Sequence, residues 1–194
     1  MQLQPRDTGW IEVICGSMFS GKTEELIRRV RLARIAKQNV IIFKPRLDDR
    51  YHERQIVSHS DQRMESFPIV HAREILDRLP KDVNVVGIDE AQFFGPELVE
   101  VCESMANRGL RVIVAGLDQD YLGKPFEPIP SLLAVAEFIN KNLAICVKCG
   151  NPANRSQRIE GSGQRVLVGA HDSYEARCRH CFSPEIEVKK TTKE

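Results

Sequence analysis

Three sets of residues combine types and spacings suited to chemistry. The first is Gly16-Ser17-Met18-Phe19-Ser20-Gly21-Lys22-Thr23, which fits the Gly-x4-Gly-Lys-Thr pattern of a polyphosphate-binding P-loop. Its glycines let the backbone close tightly, so that successive N–H groups point at phosphate oxygens. Lys22 would reach the β- and γ-phosphates, and the Thr23 hydroxyl would complete a Mg²⁺ shell. A helix starting near Lys22 places its positive dipole end under the same anion. The bare pattern also describes a Gly-rich strand-to-helix turn. The flanks favour the nucleotide, because Trp10–Cys15 reads as a strand entering the loop and Glu24–Ala36 as a helix leaving it.

The second set is Asp89-Glu90, which follows the apolar run Val85-Val86-Gly87-Ile88. An Asp at the C-terminal end of such a strand is the usual second partner of a P-loop, bonded to the magnesium shell. Adjacent side chains on a strand point to opposite sides, so Glu90 is free for proton chemistry if Asp89 serves the metal. A base beside a γ-phosphate takes a proton from a hydroxyl acceptor or orients a water. The dipeptide alone does not choose between kinase and ATPase, and away from a P-loop it would be a pair of solvated loop acids.

The third set is Cys146-x2-Cys149 and Cys178-x2-Cys181, two knuckles that together offer four thiolates to one tetrahedral ion. Zn²⁺ is the natural occupant of such a site. The 28 residues between the knuckles exceed the commonest zinc-ribbon spacing and imply an extended loop. Four protein ligands leave no open position, so the role is structural, and His180 is expected on the knuckle surface. By analogy with zinc-finger peptides, the ion would contribute about 10–16 kcal/mol of folding free energy.

The elements around these residues alternate. Leu26, Ile27, Val30, Ala33 and Ala36 recur at helical spacing over Lys22–Lys37, and Val40–Lys44 is a β-branched, aromatic strand that Pro45 stops. Residues 46–68 mix charge, His and short apolar stretches and carry no clear period. A helix is expected over Ala72–Leu79, a strand over Val83–Ile88, a helix opened by Gly95-Pro96 with Pro at N1 and Gly109 at C′, and a strand over Arg111–Leu117. Almost continuously apolar strands alternating with helices predict a parallel sheet covered on both faces, with right-handed crossovers. Composition shifts near residue 140, and a boundary is expected between Asn140 and Ile145.

Composition narrows the function. The chain has 194 residues, 42% of them apolar, enough for one domain with a small appendage. Its 28 basic and 27 acidic residues leave no global field favouring nucleic acid or an anionic membrane. No run approaches the roughly 18 apolar residues of a membrane span, and Met1–Gly9 lacks the apolar core of a secretory signal. Cys15 and Cys102 lie in apolar segments where thiols act as small hydrophobes, which with the two knuckles implies a reducing, cytoplasmic setting.

Taken together, the chain strongly resembles the cytosolic, zinc-containing type II thymidine kinases, in their bacterial form. The residues that carry this run from the P-loop through Asp48-Asp49-Arg50-Tyr51, Ser58-His59, Asp89-Glu90-Ala91-Gln92-Phe93-Phe94, Ala115-Gly116-Leu117-Asp118 and Lys124-Pro125-Phe126 to both cysteine pairs, spanning roughly residues 9 to 182. The resemblance implies an α/β fold: a P-loop (RecA-like) parallel sheet with helices on both faces and a small C-terminal zinc-ribbon and lasso domain. The organisation it suggests is a flexible lead-in over 1–9, a P-loop kinase domain over 10–142, a zinc-binding and lasso domain over 143–188 and a flexible tail over 189–194.

The activity it implies is transfer of the γ-phosphoryl of ATP to the 5′-hydroxyl of thymidine. Glu90 would be the base and Arg50 the phosphate-contacting arginine. Gly16 through Thr23, Asp89 and Gln92 would hold ATP and its phosphates, with Thr23, Asp89 and Asp48 around Mg²⁺. The matching nucleoside-pocket residues are Met18, Phe93, Leu117, Tyr121, Phe126, Ser156, Arg165, Leu167, Val168, Gly169 and Tyr174. Tyr121 stands where many members have Phe, and Ser156 where some have Thr. Gly161, Gly163 and Gly169 would give the lasso mobility as it closes over the nucleoside. Zinc on Cys146, Cys149, Cys178 and Cys181, a homotetramer and feedback inhibition by thymidine triphosphate (dTTP) come with the resemblance. A nucleic-acid-stimulated ATPase with a zinc ribbon is the alternative, disfavoured by the balanced charge and the missing second motor domain; a nucleotide sensor without turnover leaves Glu90 without a role.

Overall fold

A computed structural model describes residues 8–46, 55–57, 63–159 and 173–184. The chain begins with β1 (Trp10–Gly16), α1 (Lys22–Ile35) and β2 (Val40–Pro45). Three short strands follow: β3 (Gln55–Val57), β4 (Arg63–Glu65) and β5 (Phe67–Ile69). Next come α2 (Glu74–Asp77), β6 (Val85–Ile88), a 3₁₀ turn at Ala91–Phe93, α3 (Glu97–Asn107) and β7 (Arg111–Gly116). The main unit closes with α4 (Ile129–Val135) and β8 (Phe138–Asn142). β9 (Ala144–Ile145), β10 (Pro152–Ala153), β11 (Arg155–Arg158) and β12 (Tyr174–Arg177) form two antiparallel pairs after it.

Six strands make one sheet in the order β5-β2-β6-β7-β1-β8, every pair parallel. The two-residue period of the strands divides their side chains between two cores. Ile11, Val13 and Cys15 of β1 face α3 and α4, packing with Cys102, Met105, Ile129 and Leu132. Ile14 faces α1 with Leu26, Ile27 and Val30. Helices therefore cover both faces, as expected of buried parallel strands.

Glu12 is the exception in β1, a carboxylate only 5% exposed in the middle of an apolar strand. Trp10 Nε1 donates to it at 2.7 Å, Arg29 of α1 at 2.7 Å and Arg111 of β7 at 2.6 Å. Burial alone would raise Glu12, but the hydrogen bonds from Arg111, Trp10 and Arg29 outweigh it and hold the group below its ordinary range.

Several elements differ from the sequence expectation for local reasons. The helix expected over Ala72–Leu79 is the single turn α2, whose start is closed by Glu74 Oε1 accepting the Val70 and His71 N–H groups at 2.9 Å each. Pro96 occupies the cap position before α3 rather than its first turn, while Gly109 lies at C′ with φ +87°. β7 ends at Gly116, because the Leu117 N–H turns to Gln92 Oε1 at 3.0 Å. α4 and β8 had no sequence signal. α4 begins among Pro128 and Pro130, and β8 is a polar, exposed edge strand paired to β1 from Glu12–Phe138 to Gly16–Asn142.

Candidate active site

The strand order sets β1, β7 and β6 side by side, so the residues that follow their C-terminal ends converge. The P-loop leaves β1 at Gly16. A Cβ there would stand 2.2 Å from the Asn142 carbonyl oxygen, and φ is +143°, so only glycine fits. Gly21, in the left-handed region at φ +76°, turns the chain into α1. Ser20 Oγ and Lys22 Nζ both donate to the Ser17 carbonyl, at 2.8 and 2.7 Å, holding the loop closed on itself. Burial pushes the Lys22 ammonium below its ordinary range, against the Glu90, Asp89 and Asp118 carboxylates.

Asp89 follows β6 directly and is 5% exposed. Thr23 Oγ1 donates to its carboxylate at 3.2 Å, so the first residues of α1 meet the end of β6 across β7. Burial and the adjacent Glu90 carboxylate push Asp89 up to about 7. A hydroxyl and a carboxylate at this spacing are hard oxygen donors, the set that suits Mg²⁺, and a cation there would displace the proton.

Glu90 takes a left-handed backbone conformation, φ +50° and ψ +39°. The turn directs the chain into the 3₁₀ segment, and Gln92 Nε2 donates to Glu90 Oε2 at 2.5 Å. Gln92 Oε1 accepts the Leu117 N–H, so one buried amide ties the Glu90 carboxylate to the end of β7. Phe93 and Phe126 meet edge-to-face, with centroids 6.3 Å apart.

The C-terminal unit leans on the P-loop. Ser156 Oγ of β11 accepts the Met18 N–H at 3.0 Å, and Ser17 Oγ donates to the Ala153 carbonyl at 3.4 Å. Tyr121 lies under the Arg158 guanidinium, and Arg158 also donates to Tyr174 Oη at 2.7 Å. Met18 thus meets β11 through Ser156, while Tyr121 and Tyr174 meet it through Arg158. Phe93 donates its N–H to the Glu90 carbonyl at 3.1 Å, and Leu117 is joined to Glu90 through Gln92. Asp48, Arg50, Arg165, Leu167, Val168 and Gly169 lie outside the described residues.

The four knuckle cysteines place their sulfurs within 4.8 Å of one another, with Cys149 at 3.6 Å from both Cys178 and Cys181. A tetrahedral zinc about 2.3 Å from each sulfur spaces them about 3.8 Å apart, so this set can hold the ion. Burial opposes ionisation of Cys146, yet the N–H groups of Cys178, Lys148 and Cys149 bring it down to about 6. Cys181, which donates a hydrogen bond to the Cys149 sulfur, is pushed up to about 12. A cation bound by these sulfurs would release the remaining thiol protons. His180 is exposed and is not among these ligand atoms. Cys15 and Cys102 are fully buried; desolvation raises Cys15 to about 11 and Cys102 higher still.

Some residues of the site had no clear signal in the sequence. Asp118 ends the Ala115–Asp118 stretch, and its carboxylate pairs with Lys141 Nζ at 2.7 Å, joining the ends of β7 and β8 across β1. The sequence places Gln92 among the ATP and phosphate residues, but its bridge from Glu90 to Leu117 depends on the fold. Arg158 sits in a polar run that nothing in the sequence distinguishes.

Comparison with known proteins adds to this geometry. The family model described as thymidine kinase matches residues 9–182. A protein named thymidine kinase from Rhodothermus sp. (strain ITI 518) is 60% identical over 176 residues, covering 91% of this chain and 82% of that protein. Another of the same name from Bdellovibrio bacteriovorus is 56% identical over 180 residues, covering 93% of this chain and 88% of the relative.

Proposed function

The chain belongs to the thymidine kinase family, and from that premise we propose that it transfers the γ-phosphoryl of ATP to the 5′-hydroxyl of thymidine, giving dTMP and ADP for deoxynucleotide salvage. The observation that carries the reading is the division of labour at the end of β6. Asp89 turns to Thr23 at 3.2 Å, while Glu90 is held separately by Gln92 at 2.5 Å. Thr23 and Asp89, with Asp48, would hold Mg²⁺, which when bound draws charge off the β- and γ-phosphates.

In this reading the P-loop N–H groups and Lys22 grip the polyphosphate, which requires Lys22 Nζ to leave the Ser17 carbonyl. Gly16, Ser17, Met18, Phe19, Ser20 and Gly21 shape that grip, and Gln92 holds the base beside the phosphates. Glu90 takes the 5′-hydroxyl proton as the oxygen attacks phosphorus, and Arg50 meets the charge that develops on the transferring group. Met18, Phe93, Leu117, Tyr121, Phe126, Ser156 and Tyr174 surround the nucleoside together with Arg165, Leu167, Val168 and Gly169. Zinc on the four cysteines is structural.

Following the family, the enzyme is a cytoplasmic homotetramer that dTTP inhibits; no helix among the described residues is long and apolar enough to cross a membrane. The experiment is incubation with γ-labelled ATP and Mg²⁺, with thymidine in one arm and DNA in the other. Labelled dTMP in the first arm is expected. DNA-stimulated phosphate release with no labelled nucleotide would overturn the proposal in favour of an ATPase.

A further inference from the structure

Arg158 is 1% exposed, the largest fully buried side chain among the described residues. A guanidinium stays protonated even there, so its position must supply strong partners. Two of them are aromatic. Its Cζ stands 3.9 Å from the Tyr121 ring centroid and 5.3 Å from that of Tyr174. Its Nη2 and Nε also donate to Tyr174 Oη, at 2.7 and 3.2 Å.

The three residues come from separate parts of the fold. Arg158 and Tyr174 face each other in the β11–β12 ladder, within the zinc-bearing unit. Tyr121 belongs to the loop after β7 of the main sheet, where Asp120 Oδ1 accepts the Leu122 and Lys124 N–H groups at 2.9 and 3.0 Å. Those two hydrogen bonds to the backbone hold the Tyr121 turn. On β11, Ser156 lies two residues before Arg158 and therefore on the same side of the strand, where it meets the Met18 N–H. One side of β11 thus touches the P-loop through Ser156 and the Tyr121 turn through Arg158.

We propose that Arg158 is a positioning residue for the nucleoside pocket, which its flat cation builds by fixing Tyr121 of the main unit against Tyr174 of the zinc-bearing unit. The proposal rests on the reading above that both tyrosines line that pocket. Planarity matters as much as charge, because a guanidinium stacks on one ring while donating in its own plane to the hydroxyl of another. A lysine keeps the charge and loses the plane.

The test is steady-state kinetics on R158K, Y121L and the double variant, with thymidine and ATP each varied, and with zinc content and circular dichroism recorded. R158K is expected to raise the thymidine KM about tenfold while the ATP KM stays within about twofold. Because Arg158 acts through Tyr121, the double variant should exceed Y121L by no more than about twofold. A thymidine KM unchanged in R158K, an equal rise in both KM values, or multiplying effects in the double variant would each overturn the proposal. If R158K loses zinc or helicity, Y174F, which removes only the accepting hydroxyl, carries the same readout: a thymidine KM raised about threefold or more supports the proposal and an unchanged one overturns it. Y121L with a wild-type thymidine KM would overturn the pocket assignment of Tyr121 and the proposal with it, whereas a wild-type enzyme that does not phosphorylate thymidine would overturn the substrate reading itself.

Discussion

Glu90 sits in a left-handed conformation, φ +50°, that residues with a side chain seldom adopt and that costs of order 1–3 kcal/mol. The conformation is held from outside, by Gln92 donating to the carboxylate and by Leu117 donating to Gln92. Glu90→Gln keeps the shape and removes the proton acceptor. Its kcat should fall about 10²- to 10⁴-fold while ATP binding, measured by equilibrium titration, stays near wild type; an unchanged kcat would remove Glu90 from the chemistry. The support can be tested separately at Gly116. A Cβ there would lie 2.6 Å from Ile129 Cδ1 and 3.0 Å from Gln92 Oε1, so alanine must displace the Ile129 methyl and press on the Gln92 amide. Gly116→Ala should lower kcat well before it alters the ATP KM, and overpacking should cost about 1–3 kcal/mol of stability by urea unfolding. Loss of stability with full kcat would show that Glu90 does not need Gln92.

At the level of elements, β1, α1 and β7 are joined not only by apolar packing but by Glu12, which takes hydrogen bonds from Arg29 and Arg111. Its folded-state affinity for protons is lowered, so the carboxylate stabilises the fold fully above its ordinary 4.5 and loses that contribution as pH falls below it. Glu12→Gln should cost about 1.5–3 kcal/mol at pH 7, and the gap from wild type should close as the pH drops from 5 toward 3. Urea midpoints across that range check it; a gap independent of pH would deny Glu12 the role. This network also marks where sequence reading stops. Strands such as β6 and β7 were legible because parallel strands buried on both faces need unbroken apolar runs. β8 was not, since an edge strand open to solvent can be Phe-Ile-Asn-Lys-Asn and still complete the ladder beside β1. The P-loop, Asp89-Glu90 and the cysteine pairs were legible because their chemistry depends on local spacing. The Asp118–Lys141 and Arg158–Tyr121 contacts join residues 23 and 37 positions apart, and no local pattern encodes such meetings.

For the whole molecule, zinc on the four cysteines is predicted to decide the balance between the six-stranded sheet and the unit formed by β9 to β12. Among the described residues, the small unit's buried apolar cluster is Ala144, Cys146, Ala153, Ala176 and Cys178 with Cys181 packed against it, and three of these belong to the four-cysteine set that can hold a metal ion. An ion worth about 10–16 kcal/mol exceeds anything so small a core supplies, whereas the main unit has two cores of its own on either side of the sheet. Removing zinc with a selective chelator, Mg²⁺ being kept in excess, should therefore unfold β9 to β12 and leave the sheet standing. Two signals separate the units. All four helices among the described residues precede Ala136, so the helical circular dichroism belongs to the main unit. Trp10 is the only tryptophan and donates to Glu12 in β1, so its fluorescence reports on the same unit. Both should persist after chelation while thymidine phosphorylation disappears, because Ser156 and Arg158 leave Met18 and Tyr121. Binding of an ATP analogue should survive, since the P-loop hangs from β1 and α1. If Trp10 emission shifts to that of the unfolded chain together with zinc release, the two units fold as one and the pocket cannot be dismantled separately.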